Sequence, residues 1–517
     1  MATSQKCAHP AQPSPMKPYR FKTQPRRHQV ECLNKFGRRP YFALLHEMGT
    51  GKTWIAINTV ADLWASGDCD AALVLAPNGV HSNWTRIELP KHMPDWVRMN
   101  VAAWYAAPNK VEQAALDQIG SPDKGRLRVL TMNHEALQTK RGFEFAEKFA
   151  RSSMKLMITV DESDAFKNPT AARTKALFKL RQYSKWRRIM TGTPINNAPF
   201  DAFSQFTFLS SDILGTTSFY AFKSEYAEML HDGHPLLMAI RRQHGCGTPQ
   251  IVARSADGRP KYRNLDRLAA LIAPHSSRVL KADCLDLPEK IYKTLTFKLT
   301  TQQKAVYKKA EQECRIVFEN EETPFNKLVA VTKLAQITSG YYIHPLAEEP
   351  VRIDGENPKL ELLTQCVQRI VAAGDKVIVW ARYRIEIADI IKALRDGKIE
   401  CIEYHGGIGR ADRAAAIDEF EHGTKQVFVG NQQAGGVGIT LVAASHVIYF
   451  SNNFSLRDRL QSEDRAHRIG QTRSVVYTNI VAEGTIDEAV VRTLTSKKDV
   501  ADMILDEGTT LFQGGKR

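Results

Sequence analysis

The chain reads as α/β, with two doubly wound parallel-sheet lobes joined by a helical, basic insertion. Three observations predict this. Short β-branched runs alternate with longer helical patterns in two separate zones of the 517 residues. The runs are continuously apolar rather than alternating, which marks strands buried on both faces of a parallel sheet. Between the zones, from about 200 to 345, the strand signal disappears and charged helical patterns take over. A chain of this length exceeds what one core usually serves, so more than one domain is expected.

In the first zone the candidate strands are AALVLAP (71–77), RVLTM (128–132), KLMITV (155–160) and RRIMTG (187–192), preceded by YFALL (41–45). In the second they are KVIVWA (376–381), IECIEY (399–404), QVFVG (426–430), HVIYF (446–450) and VVYTNIV (475–481), with helical stretches such as 411–423 between them. Strand–helix alternation places helices on both sheet faces. The boundaries that follow are a flexible Pro-rich leader (1–20), a first lobe (21–212), a helical and basic region (213–345), a second lobe (346–507) and a frayed tail (508–517). Segment 300–322 reads as a charged helix, whereas 243–264 breaks into Gly, Pro and Arg and reads as an exposed loop.

Composition is that of an ordinary globular protein, 43% hydrophobic and 25% charged. No apolar run approaches the roughly 18 residues of a membrane span, and the N-terminus lacks a signal-peptide h-region. The 8 cysteines are scattered without a C-x-x-C pair, which favours reduced thiols in a cytosolic compartment, or the nucleus of a eukaryotic cell. His231, His234, His244 and Cys246 cluster in sequence but have no recognised metal-ligand spacing. The net charge of +15 is uneven. Residues 1–50 hold nine Lys/Arg against two acids, and 237–283 hold nine against three. Such patches read as a polyanion footprint.

Three stretches carry chemistry. HEMGTGKTW (46–54) follows an apolar run and precedes the amphipathic WIAINTVADLWA, the order a phosphate-binding loop requires. The pattern G-x-x-x-x-G-K-[ST] would put its first glycine at position 46, where this chain has histidine. Gly49 and Gly51 supply curvature, Lys52 a cation for the β- and γ-phosphates, and Thr53 a hydroxyl for Mg2+. Met48 and Thr50 complete the loop. DESD (161–164) ends a buried strand; Asp161 suits holding the ion and Glu162 suits orienting or deprotonating the attacking water. In QSEDRAHRIGQTR (461–473), Arg465 and Arg468 are three apart, so on a helix they share a face and suit phosphate contact from across a cleft.

Together these elements resemble the Swi/Snf-type ATPases of helicase superfamily 2, along most of the chain. LVLAPNGVHSNW (73–84) looks like motif Ia and VLTMNHEAL (129–137) like motif Ib. DESDAFKN (161–168) parallels D-E-A-H-x-x-K-N, MTGTPINN (190–197) parallels L-T-G-T-P-x-x-N, and 274–290 resembles the basic stretch leading to L-P-x-K. In the second lobe YHGGIGRADR (404–413), AGGVGITLVAASHVIYF (434–450) and DRAHRIGQ (464–471) follow in family order. The family's own loop reads D-E-M-G-x-G-K-T, so the missing glycine is a family trait. Two departures stand out. SNNFSLRD (451–458) replaces D-x-D-W-N-P, with Phe454 for the tryptophan, and DESD lacks the family's histidine at its fourth position.

The resemblance implies two RecA-like lobes, ATP and Mg2+ as cofactors, and DNA, duplex or branched, as partner. It implies an ATP hydrolase that translocates on or remodels duplex DNA. Lys52, Asp161, Glu162, Arg465 and Arg468 would be catalytic, and Thr53 and Asp161 would hold the metal. Gln29 at the adenine edge, the loop 48–53, Gly438 and Gln461 would contact nucleotide. Asn78, Asn133, Gly406, Gly435 and Gly436 would approach DNA phosphates, joined by Arg241, Arg242, Arg259 and Lys261 of the basic insertion. The alternatives are a strand-separating DNA or RNA helicase of the same superfamily, the motor subunit of a repair or restriction complex, and a nucleotide-switched binding protein. Glu162, Arg465 and Arg468 argue against the last.

Overall fold

The structure is a computed structural model. It describes residues 19–494 except 122–124, 193, 196–197, 245–249, 256–259, 320–323, 344–348, 436–437 and 493. The expected leader therefore lies almost wholly, and the tail wholly, outside the described residues.

The first lobe is built on seven parallel strands: β1 (Tyr41–His46), β2 (Ala71–Ala76), β3 (Met99–Ala103), β4 (Leu127–Asn133), β5 (Leu156–Asp161), β6 (Ser184–Met190) and β7 (Ser276–Val279). Their order across the sheet is β3-β4-β2-β5-β6-β1-β7. Each central strand feeds two cores. Leu73, Leu75, Ile158 and Val160 point into one cluster, whereas Ala72, Val74 and Met157 point into the other. This period of two, apolar on both faces, is why the strands read as unbroken apolar runs. The helix Lys52–Ala65 seals one face through Trp54, Ile55, Ile57 and Val60.

The second lobe uses β8 (Lys290–Phe297), β11 (Lys376–Ala381), β12 (Cys401–Tyr404), β13 (Val427–Asn431), β14 (Ala444–Tyr449) and β15 (Val475–Ala482). They lie in the order β12-β13-β11-β14-β15-β8, and every pair is parallel. Val377 and Val379 face one core, and Ile378 and Trp380 the other. A two-stranded antiparallel ribbon, β9 (Tyr341–Tyr342) and β10 (Val351–Arg352), sits apart.

The loss of strand signal between 200 and 345 proves incomplete. β7 pairs with β1 in the first sheet and β8 pairs with β15 in the second, so one short connection belongs to both lobes. Both are edge strands with partly polar sequences, SSRV and KIYKTLTF, and mostly half-buried or exposed side chains. A hydrophobic pattern cannot announce a strand that one face leaves in water. β3 escaped for the same reason: its burial alternates.

The helical character of the insertion is found. Helices Thr301–Glu319 and Pro324–Thr338 pack through Tyr307, Ala310, Leu334 and Ile337. The described part of the stretch read as an exposed loop makes isolated strand pairs. After helix Pro235–His244, antiparallel bridges join Met229 to Val252, Ala227 to Tyr262, and Arg254 to Pro260.

Candidate active site

Parallel sheets place their ligand-binding loops at the carboxyl ends of the strands. The phosphate loop leaves β1 there, and DESD leaves β5 there. Gly49 and Gly51 have φ of 78° and 90°, the left-handed region that L side chains avoid. A Cβ on Gly51 would also lie 2.2 Å from the Gln29 amide nitrogen, so glycine is needed for space as well. Lys52 is buried, and its Nζ donates to the carbonyls of His46 (2.8 Å) and Glu47 (3.2 Å). The loop is thus preformed around its own cation. Thr50 turns inward, its hydroxyl donating to the Glu47 carbonyl at 2.7 Å.

The histidine at the missing-glycine position has structural work. His46 is fully buried, and its Nε2 lies 3.1 Å from Ser277 Oγ on β7. Burial, then the charges of Lys52 and His28, push its pKa down to about 3. It is a neutral hydrogen-bonding group that joins the phosphate loop to the strand leaving for the other lobe.

Gln29 lines the cleft, but its amide is already engaged. The Arg26 N–H donates to its Oε1 (2.8 Å), and its Nε2 donates to the Gly51 carbonyl (3.2 Å). In this geometry it braces the loop rather than presenting a free edge to a base.

The carboxylate pair is held from several sides. Trp84 Nε1 donates to Asp161 Oδ2 (3.1 Å), the Glu162 N–H donates to Asp161 Oδ1 (3.0 Å), and the His134 ring bonds the Asp161 carbonyl (2.9 Å). Glu162 sits at φ 49° and ψ 56°, an uncommon conformation for a residue with a side chain. Burial, then the neighbouring Glu162 charge, raise Asp161 to about 7, against the opposing pull of Lys52 and the Trp84 hydrogen bond. Glu162 Oε2 is buried and finds no hydrogen-bond partner among the described residues. A buried acid beside a half-buried one whose Oε2 is unsatisfied is a donor set that suits a hard divalent cation.

The second lobe completes the site with helix Leu456–Ala466, capped by Ser455, whose hydroxyl accepts from the Asp458 N–H at 3.2 Å. Gln461 and Arg465 are buried on it. Arg465 Nη1 donates to the Ile439 carbonyl at 3.0 Å. The expectation that Arg465 and Arg468 share a helix face needs correction. The helix ends at Ala466, His467 leaves it at φ −93° and ψ 75°, and Arg468 lies in the turn beyond. The break is fixed because the His467 ring bonds the Pro288 carbonyl (2.7 Å) and its own carbonyl accepts from Lys281 Nζ (3.0 Å). Both arginines still reach the cleft, with Arg468 Nη1 donating to Thr440 Oγ1 at 3.2 Å.

The lobes enclose a cavity of about 610 Å³. Met48, Gly49, Gly51, Lys52, Thr53, Asp161 and Glu162 line one wall, and Gly438, Gln461, Arg465 and Arg468 line the other. Polar contacts cross between them. Asn83 Nδ2 donates to the Gly438 carbonyl (3.2 Å), where Gly438 has φ 75°; Lys281 Nζ pairs with Asp464; and Arg457 Nε meets Asp164 Oδ2 at 3.2 Å. Asn83, Trp84, Lys281 and Arg457 lie in stretches noted for their family resemblance, but none was expected as a site residue.

The remaining expected residues lie away from this cavity. Asn78 follows β2 and is exposed, Asn133 ends β4 with Nδ2 donating to Glu135 (3.1 Å), exposed Gly406 follows β12, and Gly435 follows β13. They share the carboxyl edges of their sheets. Arg241 pairs with Asp232 (2.8 Å) and Lys261 with Glu228 (3.2 Å), while Arg242 is exposed. Gly436, Arg259 and Cys246 lie outside the described residues.

Two parallel-sheet lobes with a phosphate loop and acidic pair on one wall and arginines on the other define a two-lobed, RecA-like nucleotide-hydrolase core. The chain belongs to the SNF2-related family: residues 39–340 match the SNF2-related domain, and residues 358–470 match the helicase conserved C-terminal domain. It is 27% identical over 472 residues to "Chromodomain-helicase-DNA-binding protein 1-like" of Mus musculus, covering 89% of this chain and 47% of the relative. It is 25% identical over 479 residues to "ISWI chromatin-remodeling complex ATPase ISW2" of Saccharomyces cerevisiae, covering 90% of this chain and 39% of that protein. The chain thus spans less than half the length of these relatives. Among solved structures it is similar to "Sulfolobus solfataricus SWI2/SNF2 ATPase core in complex with dsDNA", at 24% identity, 95% coverage of both chains and a TM-score of 0.40. No helix among the described residues is long and apolar enough to cross a membrane.

The neutral burial of His46 has a pH consequence. Its folded pKa of about 3 lies below the ordinary 6.5, so the unfolded chain takes up a proton that the folded chain refuses. That contribution to stability is complete above about pH 6.5 and is lost as pH falls toward 3. In His46→Gln the amide can still bond Ser277 but cannot titrate. Its unfolding free energy, followed by denaturant titration between pH 7 and 5, should decline less steeply than that of wild type, by up to about 1.4 kcal/mol per pH unit. Identical slopes would mean that His46 is not the group responsible.

Proposed function

We propose that the protein is an ATP-dependent DNA translocase that hydrolyses ATP to move along duplex DNA. One observation carries the chemistry: a single cavity is lined by the phosphate loop and carboxylate pair of one lobe and by Arg465 and Arg468 of the other. Thr53 and Asp161 would hold Mg2+, which when bound neutralises phosphate charge. Lys52 would leave its loop carbonyls for the β- and γ-phosphates. Glu162, strained and with one buried unpaired oxygen, would orient the attacking water. The arginines would stabilise charge developing on the transferred phosphoryl group. The DNA reading is supported by family membership, the +15 net charge, and neutral residues at the carboxyl edges of both sheets. Contacts to phosphates carry no sequence information, which suits movement along any duplex. In the basic insertion, the pairs Arg241–Asp232 and Lys261–Glu228 are exposed, worth little to stability, and open to exchange for DNA phosphates.

Lys52→Ala should abolish turnover and weaken ATP binding. Glu162→Gln should bind ATP normally in a fluorescent-analogue titration and fail to hydrolyse it; near wild-type hydrolysis would remove Glu162 from its role. Arg468→Ala should cut kcat by roughly 10³-fold or more, since a finger acts on transition-state charge. A large rise in KM at unchanged kcat would make Arg468 a ground-state contact instead.

Duplex DNA should stimulate ATPase more than RNA does, and the protein should displace a triplex-forming strand while leaving the duplex beneath intact. Efficient unwinding of a plain forked duplex would favour a strand-separating helicase.

A further inference from the structure

The fourth residue of DESD, where the sequence departs from its family, meets the second lobe. Asp164 has a side chain only 1% exposed and lies on the 3-10 turn Ser163–Phe166, two residues after Glu162. Across the cleft, Arg457 Nε is 3.2 Å from its Oδ2. Arg457 is the second residue of helix Leu456–Ala466, two positions after the Ser455 cap. A cation in the first turn opposes the helix dipole, so this position disfavours arginine unless an acid compensates. Asp164 is such an acid. Although burial works to lower it, the Arg457 pKa is held above its ordinary value by Asp164 first, then by Glu162, Asp458 and Asp161.

The same helix carries Arg465 two turns on, roughly 12 Å along its axis. Its N-terminal end therefore touches the turn that positions Glu162, while its C-terminal end presents a cation to the phosphate cavity. Neither Asp164 nor Arg457 lines that cavity. We propose that the Asp164–Arg457 ion pair is a cross-cleft clasp that aligns Glu162 with the arginine-bearing helix when the lobes close, making Arg457 a positioning residue for hydrolysis. The pair acts through Glu162 and Arg465 and touches no nucleotide itself. The inference rests on the proposed ATPase activity.

The test is a double-mutant cycle on the full chain with Arg457→Gln, Asp164→Asn and the double variant, with Arg457→Lys as the conservative control. Each single change should lower DNA-stimulated kcat about tenfold or more, as loss of a charged hydrogen bond would. Affinity for a fluorescent ATP analogue should stay within about twofold. The double variant should be no worse than either single one, the mark of residues acting as a unit, and Arg457→Lys should recover part of the rate. Lobe closure on adding duplex DNA and a non-hydrolysable ATP analogue, read by energy transfer between dyes on the two lobes, should be weakened in Arg457→Gln. Turnover near wild type in either single variant, or losses that multiply in the double one, would overturn the clasp. So would losses of rate that track equal losses of nucleotide affinity and melting temperature. A wild-type protein without ATPase activity would instead overturn the functional reading, and the closure measurement would still decide whether the pair joins the lobes.

Discussion

The structure is organised around two adjacent acids at the carboxyl end of β5, Asp161 buried and Glu162 half-buried. Burying Asp161 beside Glu162 costs free energy twice, through lost hydration and through like-charge repulsion. The surroundings read as compensation. Trp84 donates to one oxygen, a backbone N–H to another, and Lys52 contributes its field. Arg457 and Arg465 bring further positive charge from the second lobe, and Glu162 acts electrostatically on both. The first lobe holds the expense, and part of its relief comes from the second. The two lobes thus attract one another electrostatically across the cleft before any ligand is considered.

The connection between the lobes is short and polar. β7 is an edge strand of one sheet, β8 is an edge strand of the other, and the chain between them is short. His46 ties β7 to the phosphate loop through Ser277, and the Lys281 N–H donates to Glu47 of the loop at 2.6 Å while its ammonium reaches Asp464. The second lobe is thus joined to the loop through hydrogen bonds and an ion pair, not through the apolar cores. Those cores are separate in each lobe and need not change when the cleft opens.

How much of this was legible in the sequence follows from what each signal depends on. The central strands were readable because burial on both faces leaves an unbroken apolar run, as in AALVLA of β2. β3, β7 and β8 were not, because an edge strand exposes part of its surface: β3 is buried only at alternate positions, and β7 and β8 mix Ser, Arg, Lys and Thr with apolar residues. The phosphate loop, the acids and the arginines were found because their spacing is local. The helix end at Ala466 was missed because it is set by contacts of His467 with Pro288 and Lys281, nearly two hundred residues away in sequence. Trp84, Lys281 and Arg457 share that difficulty: each acts on a partner from a distant segment. Phe454, noted only as a departure, stacks under the Arg382 guanidinium at 4.3 Å, an aromatic contact that phenylalanine also makes, though less strongly than tryptophan.

The strain at Glu162 fits the same scheme. A left-handed, non-glycine backbone costs on the order of 1–3 kcal/mol, and it persists only where neighbours over-determine it. Here the neighbours are the hydrogen bond from its own N–H to Asp161 and the turn that follows, which carries Asp164. One end of that turn is thus anchored within the first lobe, and the other is anchored across the cleft by Arg457. A carboxylate held this way is aligned most firmly when the lobes are together and less firmly when they part. The contacts between the named cross-cleft partners are polar, and polar contacts exchange with water far more readily than packed side chains do. On the proposed mechanism, hydrolytic alignment and lobe closure become two descriptions of one state, because opening the cleft would remove the Arg457 anchor from the turn that follows Glu162.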